Sequence, residues 1–423
     1  MYDLNKSGTI TKDEFKDILQ MMIGANVPGE QVNSIADRTM READKDGDGC
    51  ITFAEFCHAI QMSIAIVQAG TVIYNTPATL DKLEQLTKEA ASNGAKLVVF
   101  PEAFVGGYPK GLDFGIVLGT RSPEGRDEFR KYFNSAIEEN GPESRRIAEI
   151  ATTNDVIVVT GVVERQGGTL YCSVFFYGPD GYLGKHRKLM PTALERCVWG
   201  NGDGSTMPVG YLPIIDLIVI RSIRFFTQVF DTSVGKIGAA ICWENYMPMY
   251  RMTLYNKGIE IYLACTVDDR DVWLPTMRTI ALEGRCFVIS SAQFLTSSDY
   301  PENHPMREKH GLDKVLIRGG SCAVDPLGTV LVEPDFTKEL IHYVNVDLSQ
   351  IACAKMDLDT VGHYSRPEVF QLIVNEKPYE PVPLPVNNPE ASSISETIGS
   401  SFPVTRYASM LNSVLRDVFD EDD

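Results

Sequence analysis

Three side chains in this sequence are of the right types to assemble nucleophilic chemistry. Cys242 closes the run Lys236-Ile237-Gly238-Ala239-Ala240-Ile241 and is followed at once by Trp243-Glu244-Asn245. That pattern predicts a buried strand that delivers a thiol to the mouth of a sheet, then a turn into a helix. Glu102 follows Leu97-Val98-Val99-Phe100-Pro101, and Lys188 sits in Gly184-Lys185-His186-Arg187-Lys188-Leu189-Met190-Pro191. The thiolate is the nucleophilic form of cysteine, and a free thiol is mostly protonated at neutral pH. A carboxylate can take that proton, and an ammonium can favour the thiolate and hold charge developing on the substrate. Glutamate, lysine and cysteine together therefore suffice for acyl chemistry without histidine or metal.

Taken singly, each residue has a plainer reading. Cys242 could be a buried structural thiol, as Cys265 and Cys322 are expected to be. Glu102 could cap a turn, and Lys188 could be a solvated strand-end charge like Lys185 and Arg187 beside it. Only the joint occurrence of all three, each in its own context, favours chemistry. His186 and His363 read as structural.

Positioning these side chains requires strands that end together. Residues 63–375 alternate strand-like runs with helical stretches, which predicts α/β architecture. Ser63-Ile64-Ala65-Ile66-Val67-Gln68 reads as the first buried strand. Leu80, Leu83, Leu86 and Ala90 share one face of a helix over 78–93. Further helices are expected near 143–153, 248–257 and 272–284. Further strands are expected near 156–163, 171–177, 259–264, 286–291, 321–332 and 341–346. From 376 to 423 the chain is rich in Pro, Ser and Asn and ends Asp420-Glu421-Asp422-Asp423, which reads as a flexible acidic tail.

The 423 residues carry a formal charge of −18, which argues against a nucleic-acid partner and an anionic membrane surface. No run of about 18 apolar residues predicts a transmembrane helix, and no signal peptide is read at the start. Nine cysteines without paired spacing suit a reducing compartment, and the cytosol is the expectation.

The contexts of the three residues carry a resemblance. They are Phe100-Pro101-Glu102-Ala103-Phe104 with Gly106-Gly107-Tyr108-Pro109-Lys110; His186-Arg187-Lys188-Leu189-Met190-Pro191-Thr192 with Glu195-Arg196 and Trp199-Gly200; and Ala240-Ile241-Cys242-Trp243-Glu244-Asn245. In this order they resemble the nitrilase branch of the carbon–nitrogen hydrolase superfamily. The resemblance implies a four-layer αββα sandwich over residues 63–375, with Cys242 as nucleophile, Glu102 as general base and Lys188 as stabilising cation. Glu195 matches the second glutamate of the family, and backbone N–H groups near Trp243 would complete the oxyanion site. The implied reaction turns a small nitrile into a carboxylic acid and ammonia, without a catalytic cofactor, in a homo-oligomer. An amidase of the same superfamily is the alternative. Arg196, Trp199 and the turn Gly200-Asn201-Gly202-Asp203-Gly204-Ser205 favour the nitrilase branch, and Asn245 favours acid over amide as product, since cyanide hydratases resemble Cys-Trp-Glu-His there.

A second signal occupies residues 1–62. Asp3, Asn5, Ser7, Thr9, Thr11 and Glu14 fall at positions 1, 3, 5, 7, 9 and 12 of a calcium loop, with Gly8 at position 6. Asp44, Asp46, Asp48, Cys50, Thr52 and Glu55 repeat the pattern around Gly49. Cys50 is tolerated because position 7 binds through its backbone carbonyl. Ile10 and Ile51 are expected to pair between the loops. The segment resembles the C-terminal half of calcineurin-B-like EF-hand proteins, but as a truncated pair: two residues precede the first loop, and Phe56–Gln61 alone follow the second. Calcium binding is therefore expected to be weak. A calcium-binding protein with an inactive hydrolase-like scaffold is the reading from a different functional class. Met62 would also serve as a start for the catalytic part, so a mis-joined gene is a further reading.

Between Lys188 and Cys242 the chain is longer than the resemblance leads one to expect. Val209–Gln228 is the excess, with a nearly continuous apolar run from Ile214 to Ile220. It reads as a retained in-frame intron, because a valine codon can begin with GT and a glutamine codon can end in AG. Such a run competes for strand pairing, and a one-residue slip of register would turn a strand's side chains to the opposite face. Joining Pro208 directly to Val229 should therefore raise soluble yield and specific activity, measured side by side with the full chain. Equal values would mark the segment as an accommodated loop.

Overall fold

Short apolar runs alternating with amphipathic stretches build two six-stranded mixed sheets. The computed structural model describes residues 7–23, 29–44, 46–52, 62–206, 229–311 and 313–378. Its strands begin with β1 (Thr9–Thr11), β2 (Cys50–Thr52), β3 (Met62–Gln68), β4 (Leu97–Val99), β5 (Ile116–Val117) and β6 (Thr120–Arg121). They continue with β7 (Ile157–Gln166), β8 (Thr169–Gly178), β9 (Gly181–Arg187), β10 (Phe230–Thr232), β11 (Gly235–Ile241) and β12 (Ile261–Thr266). The last are β13 (Phe287–Ala292), β14 (Phe294–Thr296), β15 (Val315–Arg318), β16 (Cys322–Val324), β17 (Val330–Val332) and β18 (Leu340–Val346).

One sheet runs β18-β3-β4-β7-β8-β9 and the other β10-β11-β12-β13-β16-β17. Each has a parallel centre, β3-β4-β7 or β11-β12-β13, flanked by antiparallel strands. Central parallel strands are covered on both faces, which accounts for their nearly unbroken apolar runs. Alternate residues then divide between two layers. Ile64, Ile66, Leu97, Val99, Ile157 and Val159 pack across the sandwich against Ile237, Ala239, Ile261, Leu263 and Ile289. Ala65, Val67, Val98 and Val158 face outward onto Leu80, Leu83, Ile147 and Ile150 of helices Thr76–Ser92 and Pro142–Asn154. Ala240, Tyr262, Ala264 and Val288 face Leu254, Met277 and Ile280 of helices Pro248–Asn256 and Trp273–Gly284. The result is the four-layer αββα sandwich that the resemblance implied. Each fully buried Leu or Ile contributes about 1.5–3 kcal/mol, so the layer between the sheets and the two sheet–helix layers all contribute to stability.

Some elements depart from expectation. The strand expected over 321–332 is a hairpin, β16 and β17, because Asp325-Pro326-Leu327-Gly328 turns the chain and Gly328 adopts φ +83°. Helix Pro123–Ser135 and strand β9 were not foreseen. The helix is rich in charged residues and starts from the Ser122 side chain, which accepts the Gly125 N–H, with Pro123 in its first turn. Strand β9 is basic and takes its conformation from pairing with β8. The tail expected from 376 begins with an anchored residue, since Glu376 pairs with Lys257 at 2.5 Å. Residues 379–423 and the Val209–Gln228 segment lie outside the described residues. Among the described residues no helix is long and apolar enough to cross a membrane.

The N-terminal segment has its own small core. Ile10 pairs with Ile51 in the β1–β2 ladder, as expected, and both pack with Phe15, Met40 and Ala43. Helices Lys12–Ile23 and Gly29–Ala43 lie between the two loops in sequence.

The sheets bring three chain ends together. Strand β9 is antiparallel to β8, β8 to β7, and β7 is parallel to β4, so β4 and β9 end at the same edge. Glu102 lies three residues past β4 and Lys188 one past β9, while Cys242 follows β11 directly. Gly161 of β7 is required for this. A Cβ there would sit 2.2 Å from Pro101 O and 2.6 Å from Glu102 Cα, so a larger residue would displace the Glu102 backbone.

Candidate active site

Lys188 is the hub of a buried ion cluster. Its Nζ donates to Glu102 Oε1 at 2.7 Å and to Glu195 Oε2 at 2.8 Å, with all three side chains almost fully buried. Glu102 Oε2 accepts the Val267 N–H at 3.1 Å, and the Gln293 amide donates to the Glu102 carbonyl at 2.7 Å. Glu195 accepts the Tyr108 hydroxyl at 2.8 Å and the Thr192 N–H at 2.6 Å. The Lys188 ammonium lies 5.7 Å from the Trp199 ring centroid, and Tyr108 meets that ring edge-on. Thus the sequence-predicted Glu102, Lys188 and Glu195 come together in one contact network.

Cys242 is buried and stands at φ +51°, a left-handed conformation that costs a non-glycine residue about 1–2 kcal/mol. Its neighbours enforce that conformation. The Asn245 amide donates to the Cys242 carbonyl at 2.7 Å, and Glu244 accepts the Ile241 N–H at 2.7 Å. Ala103, next to Glu102, is likewise left-handed at φ +50°. Non-glycine residues in this conformation gather at sites where side-chain aim matters. The turn after Cys242 is a 3-10 helix, Cys242–Tyr246, ahead of the expected α-helix.

The charges act on one another. Burial pushes the Cys242 thiol above its ordinary range and the Glu102 charge adds to that, while Lys188 and a hydrogen bond with Thr266 pull it back. Burial also raises the Glu102 carboxyl, against the pull of Lys188. Burial opposes the Lys188 ammonium, but Glu102, Cys242, Cys172 and Glu195 outweigh it and hold its pKa well above the ordinary lysine range. A protonated thiol, a carboxyl with raised proton affinity and a permanent cation form a set suited to proton transfer coupled to nucleophilic attack.

Trp243 behaves differently from the other expected site residues. Its ring is half exposed, its N–H donates to Asp268 Oδ2 at 2.8 Å, and the Arg270 guanidinium lies 4.9 Å from it. Sequence reasoning missed the end of β12, where consecutive residues serve the site. Thr266 favours the Cys242 thiolate, Val267 holds Glu102 and Asp268 holds Trp243. It also missed Cys172, whose thiol lies 3.5 Å from Glu102 Oε1. Nothing in the local sequence marks these positions; the only available signal was that β12 follows the Cys242 strand in a parallel pair. His186 is buried, with Nε2 2.9 Å from Glu244; His363 is exposed and meets the Tyr364 ring edge-on.

In the N-terminal loops, carboxylate oxygens of Asp44, Asp46 and Asp48 lie within 4.8 Å of one another. Asp44 accepts the N–H groups of Gly47 at 2.7 Å and Gly49 at 2.8 Å, which wraps the loop around its first ligand position. Glu14 accepts from Thr11 N and Oγ1 at 2.9 and 2.8 Å. Ser7, Thr9 and Cys50 lie in the described part of the loops, whereas Asp3, Asn5 and Glu55 lie outside the described residues.

Comparison with known proteins agrees with this architecture. The sequence profile of the carbon-nitrogen hydrolase family matches residues 63–356, and that of an EF-hand domain pair matches residues 1–61. The chain belongs to the carbon–nitrogen hydrolase family, within its nitrilase branch. It is 51% identical over 323 residues to a bifunctional nitrilase/nitrile hydratase of Lupinus angustifolius, covering 75% of this chain and 87% of the relative. It is 50% identical to nitrilase 2 of Arabidopsis thaliana, covering 75% and 89%. Among solved structures, the fold is shared with Nit3 of Saccharomyces cerevisiae at TM-score 0.51 and 20% identity, covering 72% of this chain and 96% of that one. It is shared also with the C. elegans NitFhit protein at TM-score 0.52 and 16% identity, covering 76% and 68%.

A proton-accepting role for Glu102 would make a testable demand. The carboxylate form accepts a proton, and burial lifts its pKa, so activity should fall on acidification at a pH above the ordinary glutamate value of 4.5. The midpoint belongs to the coupled cluster rather than to Glu102 alone. A kcat/KM profile with its acid limb at or below pH 4.5 would contradict this picture.

Proposed function

We propose that this protein is a nitrilase that converts an organic nitrile to a carboxylic acid and ammonia through a covalent intermediate on Cys242. The observation that carries this is the buried Glu102–Lys188–Glu195 cluster acting electrostatically on the Cys242 thiol. The nitrilase relatives at 50–51% identity support nitriles, rather than amides, as the substrate class.

In the proposed sequence the Cys242 sulfur bonds to the nitrile carbon while its proton passes to Glu102 and on to the nitrile nitrogen, giving a thioimidate. A water activated by Glu102 adds to the same carbon, and ammonia leaves as the thioester forms. A second water releases the carboxylic acid and restores the thiol. Two waters are consumed in all, and no redox cofactor is needed. Lys188 stabilises the negative charge of each tetrahedral species, and a donor of this kind is typically worth about 3–4 kcal/mol. Glu195 holds Lys188 in place, and backbone N–H groups at Trp243 serve as further donors.

Calcium is the proposed ligand of the N-terminal loops. The oxygen-rich donor set of Asp44, Asp46 and Asp48, with Glu14 in the first loop, suits a hard divalent cation. Such an ion would order the loops and takes no part in the hydrolysis. All eight described cysteines are free thiols, which supports the reducing cytosol as the setting. Exposed apolar side chains such as Leu194 and Met249 support self-association into a homo-oligomer.

Two experiments follow. Ammonia and acid release should be measured over a nitrile panel, with amides as controls; Cys242→Ala should fold and lose turnover by at least about three orders of magnitude, as removal of a nucleophile does. Near-normal hydrolysis by that variant would end the proposed mechanism. Calorimetry on the full chain should show weak calcium binding, lost in Asp44→Ala, and chelator should leave kcat within about twofold. A large calcium-dependent change in kcat would show instead that the loops regulate the enzyme.

A further inference from the structure

Glu244 lies two residues after the proposed nucleophile, yet its side chain does not serve its own turn alone. Its Oε1 accepts the Leu189 N–H at 2.6 Å, and its Oε2 accepts the Ile241 N–H at 2.7 Å. Leu189 directly follows Lys188, and Ile241 directly precedes Cys242. The His186 ring places Nε2 2.9 Å from Oε2 and 3.1 Å from Oε1. Both side chains are fully buried, and the His186 ring stacks against Tyr250 at 5.3 Å. The two backbone groups belong to different sheets, since β9 is in one and β11 in the other.

We propose that Glu244 is a positioning residue that fixes the separation of Cys242 from Lys188 by bonding the backbone beside each with one carboxylate. This rests on the roles given above to Cys242 and Lys188. Four properties favour it over a general packing role. The bonds are short and made to a carboxylate, a class of hydrogen bond stronger than that between neutral groups. Each N–H lies one residue from a reacting group. The Glu102–Lys188–Glu195 cluster fixes the Lys188 ammonium but makes no bond to the backbone of the Cys242 turn. And Coulomb interaction depends steeply on separation in a poorly screened interior. The charged and titratable groups acting on the thiol are Glu102, Lys188 and Glu195, with Arg270 also coupled to it. The two cations among these favour the thiolate, and Lys188 is the one whose strand Glu244 ties to the thiol's own.

The test uses Glu244→Gln, Glu244→Asp and His186→Gln in the full chain. An amide oxygen can accept one of the two N–H groups, and its NH2 must face the other; an aspartate keeps its charge but is one methylene short of spanning both. Both Glu244 variants should lose at least thirtyfold in kcat, with KM within threefold. His186→Gln retains a donor to Glu244 and should stay within fivefold of the parent kcat. Alkylation of Cys242 by iodoacetamide, followed by peptide mass spectrometry, reads the thiol without any nitrile. Its rate at pH 7.5 should fall at least tenfold in the Glu244 variants, and its pH midpoint should rise, because a more distant ammonium favours the thiolate less. A folded Glu244→Gln or Glu244→Asp with parental kcat and parental labelling overturns the proposal. So does a low kcat with an unchanged labelling profile. If one Glu244 variant does not fold, the other decides. Failure of the hydrolytic mechanism itself is distinguishable, because then Cys242→Ala would remain active.

Discussion

A single ammonium held between two carboxylates inside the sandwich is the constraint on which this structure turns. Removing three ionised groups from water is costly, and such a cluster persists only when every member is paired and hydrogen-bonded. Lys188 meets that condition through Glu102 and Glu195. Glu102 is completed by Val267, and Glu195 by Tyr108 and Thr192. With both carboxyls ionised the cluster carries one excess negative charge, which opposes ionisation of the neighbouring thiol. That suits a site where the thiol gives up its proton only as it attacks, and where the carboxyl receiving it already has raised proton affinity.

The sandwich is what makes the cluster geometrically available. Two sheets of the same strand pattern pack through one apolar layer, so their strand ends open onto a common space. One sheet supplies Glu102 and Lys188, the other Cys242 and the Thr266-Val267-Asp268 segment. Left-handed residues at Ala103 and Cys242 turn the chain sharply just where each strand ends. The local cost at Cys242 is offset by hydrogen bonds from Asn245 and to Glu244, neither of which is itself part of the cluster.

Much of this was legible in the sequence because strand and chemistry coincide there. Cys242 and Glu102 each follow an apolar run that marks a strand, β11 and β4, and Lys188 directly follows β9. The Ile10–Ile51 pair was legible from loop spacing alone. What was hidden depends on contacts distant in sequence. Cys172 reaches Glu102 across 70 positions, and Val267 across 165. Strand β9 has no apolar alternation of its own and exists because β8 offers it an edge. The hairpin β16–β17 was misread because two apolar strands flank a short turn, and length alone could not separate them.

The most direct measurement is mass spectrometry of the protein quenched during turnover of a slowly hydrolysed nitrile. The expected result is a substrate-derived acyl or imidate mass on the peptide carrying Cys242, accumulating and decaying with turnover, and absent when Cys242 is replaced by alanine. Turnover without any adduct on Cys242, or with the adduct on Cys172 instead, would contradict a site built around the Cys242 thiol.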